Sequence, residues 1–248
     1  TNVAVGQQTL VKNTTAANNT AIGKSSLHDN TTGAANTAVG RSALNANTTG
    51  ACNVAVGCSA LVTATTAGQN VAIGVCSMYA TTSGDNNTSI GTLSMCSNTT
   101  GTNNVAVGVY SLRANTTASA NTAVGRESLR QATTGGQNTG VGMQAAYNIT
   151  SGYQNAALGD TALFSTTTGQ RNTASGYRAL FNNTTGHGSV ALGACALCGN
   201  TTAGNNVAIG RGAMRMNTTG SINTASGYKS LYDNTTVSYT HLRAHETR

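Results

Sequence analysis

The chain has 248 residues, of which 8% are charged and 4% aromatic, with no Trp or Pro, 30 Gly, 43 Thr and a formal charge of +7. No apolar run is long enough for a transmembrane helix, and the Lys/Arg residues are too dispersed and the rings too few for a nucleic-acid platform. Helix is disfavoured as well: Thr and Asn form helices weakly, Thr suits extended backbone, and Gly and Asn suit turns.

So polar a chain is disordered unless a strict register opposes it. One does. Taken in chain order, a glycine recurs every 17 residues at Gly6, Gly23, Gly40, Gly57, Gly74, Gly91, Gly108, Gly125, Gly142, Gly159, Gly176, Gly193, Gly210 and Gly227, fourteen copies without insertion or deletion. Each repeat reads Asn, Thr or Val, Ala, Val or Ile, Gly, two variable residues, Ala or Ser, Leu, two variable residues, and then usually Asn-Thr-Thr-Gly. A 17-residue unit is too short for a pair of helices but suits one rung of a parallel β-solenoid or β-roll. The expected fold is therefore all-β, with about fourteen rungs over residues 1–237 and two short strands per rung, "TAVG" and "SAL". Stacking accounts for the missing indels, because one extra residue would break every ladder and turn side chains to the wrong face.

The Asn four places before the glycine (Asn19, Asn36, Asn53 and so on, with Ser189 the one departure) predicts an amide ladder. Gly23, Gly40 and Gly57 mark a turn ladder, and Thr31, Thr48 and Thr65 belong to a column that is Thr in every copy. Candidate core residues are the Leu or Met four after the glycine (Leu27, Leu44, Leu61, Met78, Leu112) and the Val or Ile before it (Val39, Val56, Ile73, Val107). Ala38, Ala55 and Ala72 suit tight contacts, and Lys24, Arg41, Arg126 and Arg211 suggest a solvated face. One rung buries too little apolar surface to offset its ordering entropy, so neighbouring rungs and neighbouring chains are expected to complete it.

The Asn-x-Ala-Val/Ile-Gly core, as in Asn53, Ala55, Val56 and Gly57, resembles the SVAIG-type repeats of trimeric autotransporter adhesin heads. Similar Gly/Asn/Thr repeats occur in phage tail fibres and other extracellular fibres. This chain departs from the adhesin pattern in its longer, constant period and its Asn-Thr-Thr-Gly turn. The resemblance implies a left-handed parallel β-roll packed as a homotrimer, on a cell surface, outside the cell or on a virion tail, with a host surface or glycan as partner.

Residues 238–248, "SYTHLRAHETR", leave the repeat and resemble translated adaptor read-through; they are expected to play no part in function. Because the chain opens in mid-repeat, it is expected to be a segment of something longer. His241 and His245 lack the Glu and third ligand of a zinc motif.

Catalysis finds little footing. Asp29, Asp85, Glu127, Asp160 and Asp233 are scattered, and His28 and His187 lie far apart, whereas acid–base work needs groups around one substrate. Cys52, Cys58, Cys76, Cys96, Cys195 and Cys198 occupy four different repeat positions, and only Cys195 and Cys198 sit close enough to suggest a disulfide or metal pair. The expectation is no enzyme, no cofactor and no metal. It is instead a fibre or adhesin shaft that self-associates as a trimer or filament, without nucleic-acid partners. Two alternatives use other features: an ice-binding solenoid presenting the Thr stripe, or a glycan binder using Tyr79, Tyr110, Tyr153, Tyr177 and Tyr228. The Asn-Thr-Thr triplets at Asn13, Asn30, Asn47, Asn98, Asn115, Asn183, Asn200, Asn217 and Asn234 match glycosylation acceptors, but at one per rung they read better as turn formers.

Overall fold

A computed structural model, describing residues 1–243, shows an all-parallel β-solenoid of about fourteen rungs. Two compact units divide it, Thr1–Arg126 and Glu127–Arg248. The first holds β1 (Val3–Val5), β2 (Thr20–Ile22), β3 (Thr37–Val39), β4 (Val54–Val56), β5 (Val71–Ile73), β6 (Thr88–Ile90), β7 (Val105–Val107) and β8 (Thr122–Val124). The second holds β9 (Thr139–Val141), β10 (Ala156–Leu158), β11 (Thr173–Ser175), β12 (Val190–Leu192), β13 (Val207–Ile209), β14 (Thr224–Ser226) and β15 (His241–Arg243). Within each unit the strands pair in sequence order with a constant offset, Ala38 against Ala55 in one and Ala157 against Ala174 in the other. The insertion-free repeat makes that register unavoidable. It also reaches past Val237: β15 pairs with β14, and Thr240 takes the ladder place otherwise held by Asn, its N–H donating to Asn223 Oδ1 at 2.8 Å.

Each rung has one strand, not the expected two. In the "SAL" segment Ser42 and Leu44 have φ of 58° and 49°, and Ala43 and Asn47 close turns onto the carbonyls of Gly40 and Leu44. The burial pattern explains why. Ala43 and Leu44 are adjacent and both fully buried, which an extended strand forbids because its successive side chains point to opposite faces. Left-handed backbone at every second residue lets both turn inward while Leu44 N–H still reaches the Ala60 carbonyl of the next rung at 3.0 Å.

The same alternation corrects the expected core. In β2 to β14 the middle residue, usually Ala, is buried, whereas the flanking residues face outward. Val39, Val56, Ile73 and Val107, expected inside, lie on the outer face of the sheet with Ile22, Ile90 and Val124. The core is the Ala column, the Ala or Ser three after the glycine, and the Leu or Met column, with Leu27, Leu44, Leu61, Met78 and Leu112 all fully buried. One rung repacks: where Ala146 stands in the Leu column, Ile149 replaces the usual Asn, so one aliphatic side chain is lost and another gained in the same layer.

Two buried amide ladders run beside this core. Asn19 Oδ1 accepts the Asn36 N–H at 2.8 Å, Asn36 Oδ1 accepts that of Asn53 at 2.9 Å, and each side-chain amide donates across its own rung to a carbonyl, as Asn36 does to Gly50. At Ser189 the hydroxyl takes over as acceptor for Asn206 N–H at 3.2 Å. In the second ladder Asn47 Nδ2 donates to Asn30 Oδ1 at 2.7 Å and to the Gly50 carbonyl at 3.0 Å. There the next rung carries Ala64, and Asn47 Oδ1 is left buried without a partner.

Gly57 shows why its column never varies. Its φ is 136°, and a Cβ there would come within 2.5 Å of the Gly74 carbonyl oxygen. Gly57→Ala is expected to destabilise the solenoid by about 3 kcal/mol or more, since backbone strain and a clash with immovable backbone combine; thermal melting read by circular dichroism checks it. Ala64→Asn should do the opposite. Restoring a donor to Asn47 Oδ1 at a place where Asn is already accommodated in other rungs is expected to add about 1 kcal/mol, seen as a raised melting temperature.

Candidate functional site

Three surfaces remain once the ladders are in place. The first is the outer face of the strands. In the first unit the column before the glycine is Val or Ile in all eight strands, and the column two residues earlier is Val or Thr. Ile22 is 40% exposed and Ile90 38%. In the second unit the same column carries Val141, Leu158, Leu192 and Ile209, interrupted by Ser175 and Ser226. Neither column carries a charge in any of the fourteen repeats.

The second surface is the Asn-Thr-Thr edge. Thr31, Thr48 and Thr65 donate their hydroxyls to the carbonyls of Thr48, Thr65 and Thr82 at 2.9, 2.9 and 3.3 Å. Their O–H groups are thus committed to the stack, while the following Thr, such as Thr49, is exposed. The stripe lies on a turn, not on a strand face. The triplet asparagines Asn30, Asn47, Asn98, Asn115, Asn183, Asn200 and Asn217 are fully buried, so a glycan on any of them would break the second amide ladder.

The third surface lies one, two and five places after the glycine, where the turn throws side chains outward. Stacking brings rings and cations from successive rungs together there. Tyr147, Phe164 and Phe181, from consecutive rungs, stack with centroids 5.2 Å apart. Arg130 caps Tyr147, donating to its hydroxyl at 2.7 Å, and Arg178 lies over Phe181 at 4.2 Å. Further along, Arg211 and Lys229 flank Tyr228, and Arg215 and Lys229 flank Tyr232. Tyr110 carries Arg113 over its ring as well, and away from this surface Tyr153 carries Arg171. The signal was available in the sequence: the column five after the glycine reads Arg130, Tyr147, Phe164, Phe181, Cys198, Arg215, Tyr232.

The residues singled out for chemistry stay apart. Asp29 is held below the usual carboxylate range by Lys12, 2.7 Å away, and by His28. Glu127 bonds Arg130 at 3.0 Å and Gln144 at 2.8 Å. Among the described residues no three His, Cys, Asp or Glu side chains converge to hold a metal; His245 lies outside them. All six cysteines are free thiols, Cys195 and Cys198 included. Arg41 Nη2 reaches Cys58 Sγ at 3.4 Å and, with Ser59, pulls that thiol below its ordinary pKa. Burial pushes Cys198 and Cys96 up.

No helix in the described residues is long and apolar enough to cross a membrane. No protein-family model matches the chain, and no curated protein is similar to it.

A depressed pKa enlarges the thiolate fraction near neutrality, and the thiolate is the nucleophile. Iodoacetamide is therefore expected to alkylate Cys58 about tenfold or more faster than Cys198 near neutral pH, and Arg41→Ala should slow Cys58 toward an ordinary thiol. Timed peptide mass spectrometry checks both.

Proposed function

We propose that the chain is a segment of an extracellular structural fibre or adhesin shaft that works by self-association, with the outer strand face as the contact between copies. The observation that supports this reading most is the uncharged β-branched face. A monomer rarely leaves a long apolar stripe to water, and in the first unit a column of Val and Ile rises one rung at a time without a charge that a second copy would have to desolvate. The chemistry of the rungs supports a mechanical role over a catalytic one: most of their buried asparagines are spent on the ladders that hold the stack together. The likeness to adhesin-head repeats favours a trimer, and end-to-end growth favours a filament.

Wild-type chain is expected to run as a multi-chain species by light scattering and to appear as trimeric particles or fibres by electron imaging. Ile73→Lys with Ile90→Lys places two cations on the outward face, where a single chain tolerates them and an interface does not. This double variant should keep the far-UV circular dichroism of the folded chain and disperse, melting no higher than the wild type. A wild-type chain that is already a dispersed monomer would overturn the proposal, and thermal hysteresis from such a monomer would favour the ice-binding reading of the Thr stripe.

A further inference from the structure

The second unit contains a cleft of about 180 Å³ lined by Arg211, Gly212, Arg215, Tyr228, Lys229 and Tyr232, with Cys195 at its edge. Three features of this cleft point to one ligand chemistry. The first is charge. Three cations surround the space, and among the described residues none of them pairs with a carboxylate. They are steadied by rings instead: Arg211 lies 5.9 Å from the Tyr228 centroid, Lys229 lies 5.4 Å from both Tyr228 and Tyr232, and Arg215 Nη1 donates to the Tyr232 hydroxyl at 3.0 Å. Each guanidinium keeps further N–H donors in a planar fork suited to an oxyanion.

The second feature is size. At about 180 Å³ the cleft has room for several water molecules. That exceeds a bare phosphate or sulfate and matches one six-membered ring with its substituents. The tyrosine rings supply apolar surface beside the cations, as a site for a ring with an uncharged C–H face and a charged substituent requires.

The third feature is Gly212. It has φ of 68°, but the backbone does not demand glycine there, because the thirteen equivalent residues are all non-glycine and all adopt positive φ, among them Leu93, Cys195 and Lys229. Space does not demand it either, since an added Cβ would meet Lys229 Cγ at 3.5 Å and the Tyr232 ring at 3.6 Å, ordinary contacts. What glycine does is omit the side chain that would fill the floor of the cleft.

We propose that this cleft binds an acidic sugar residue, a pyranose ring bearing a carboxylate or a sulfate, within a polysaccharide. The arginine forks hold the anion, Lys229 adds charge, and the ring lies against Tyr228 and Tyr232 in the gap left by Gly212. A nucleic acid strand fits less well, because it needs a basic groove that continues along many phosphates, and the column beyond Arg215 continues through Cys198 to Phe181 and Phe164. The proposal does not depend on self-association, and its readout, heat of binding per chain, is indifferent to assembly.

The test is calorimetric titration of the full chain with four probes: a glucuronate-containing tetrasaccharide, a sulfated galactose tetrasaccharide, neutral cellotetraose and decathymidylate. At least one acidic saccharide should bind and cellotetraose should not; binding by the glucuronate or the sulfated probe alone identifies which anion is read. Gly212→Leu, which fills the floor with a side chain already accommodated at Leu93, should weaken binding by about tenfold or more without changing net charge, and Arg215→Ala, which removes one cation, should weaken it by at least as much. Melting curves establish that both variants fold; should Gly212→Leu melt early, Arg215→Ala and Arg211→Ala, at exposed places, decide the matter. Equal binding of cellotetraose, undiminished binding by the folded variants, tighter binding of decathymidylate, or no heat from either acidic saccharide at millimolar concentration would each overturn the assignment.

Discussion

The rest of the fold depends on the buried amide four places before each glycine. Asn36 shows the arrangement: its Oδ1 takes the backbone N–H of Asn53 in the next rung, and its Nδ2 crosses to the Gly50 carbonyl of its own rung. One side chain thus ties successive rungs along the axis and closes each rung across its middle. A buried amide left unpaired would cost several times what a made bond contributes net, so the ladder is strongly specified once it is buried. Each backbone N–H at this place requires an acceptor, an Asn Oδ1 or the Ser189 hydroxyl, at the same depth in the preceding rung. The fixed period follows from that requirement, because a rung one residue longer would carry its amide out of line. The glycine column has a matching origin: with rungs drawn this close, the turn after the strand has no room for a Cβ.

Much of this was legible in the sequence, because a ladder writes the same letter at the same interval. Solenoid, parallel register and the amide, glycine, threonine and leucine columns all follow from residues that recur in step. What the repeat could not convey was the direction in which a column points. Val39 and Ile73 are as apolar and regular as Leu44, yet they face outward, because the burial of Ala38 and Ala72 on the same short strand fixes the alternation. The error about the second strand has the same root. Ala43 and Leu44 look like the end of a strand, but their joint burial requires left-handed backbone at Leu44, a conformation costing about 1 kcal/mol or more that is unusual for leucine.

The outer columns illustrate the opposite limit. No rule of period applies to the places one, two and five after the glycine, where Val, Cys, Arg, Tyr, Phe and Asp all occur. Read along the chain, Tyr147, Phe164 and Phe181 are isolated rings, and so are Arg215 and Tyr232. Read down the column, they are neighbours. Clusters of this kind arise from residues 17 apart, and they become visible only after the register has been fixed from the buried columns.

That division of labour has a consequence for how such a molecule changes over generations. Because the interior ladders carry the specification of the fold, the flank behaves as a grid of independent addresses, one rung apart vertically and three to a rung. A point mutation at any address alters what the surface displays and leaves the stack intact, and duplication of a rung inserts a complete new row. Recognition surfaces can therefore be drafted, erased and copied on this lattice one letter at a time, with selection on binding largely decoupled from selection on folding.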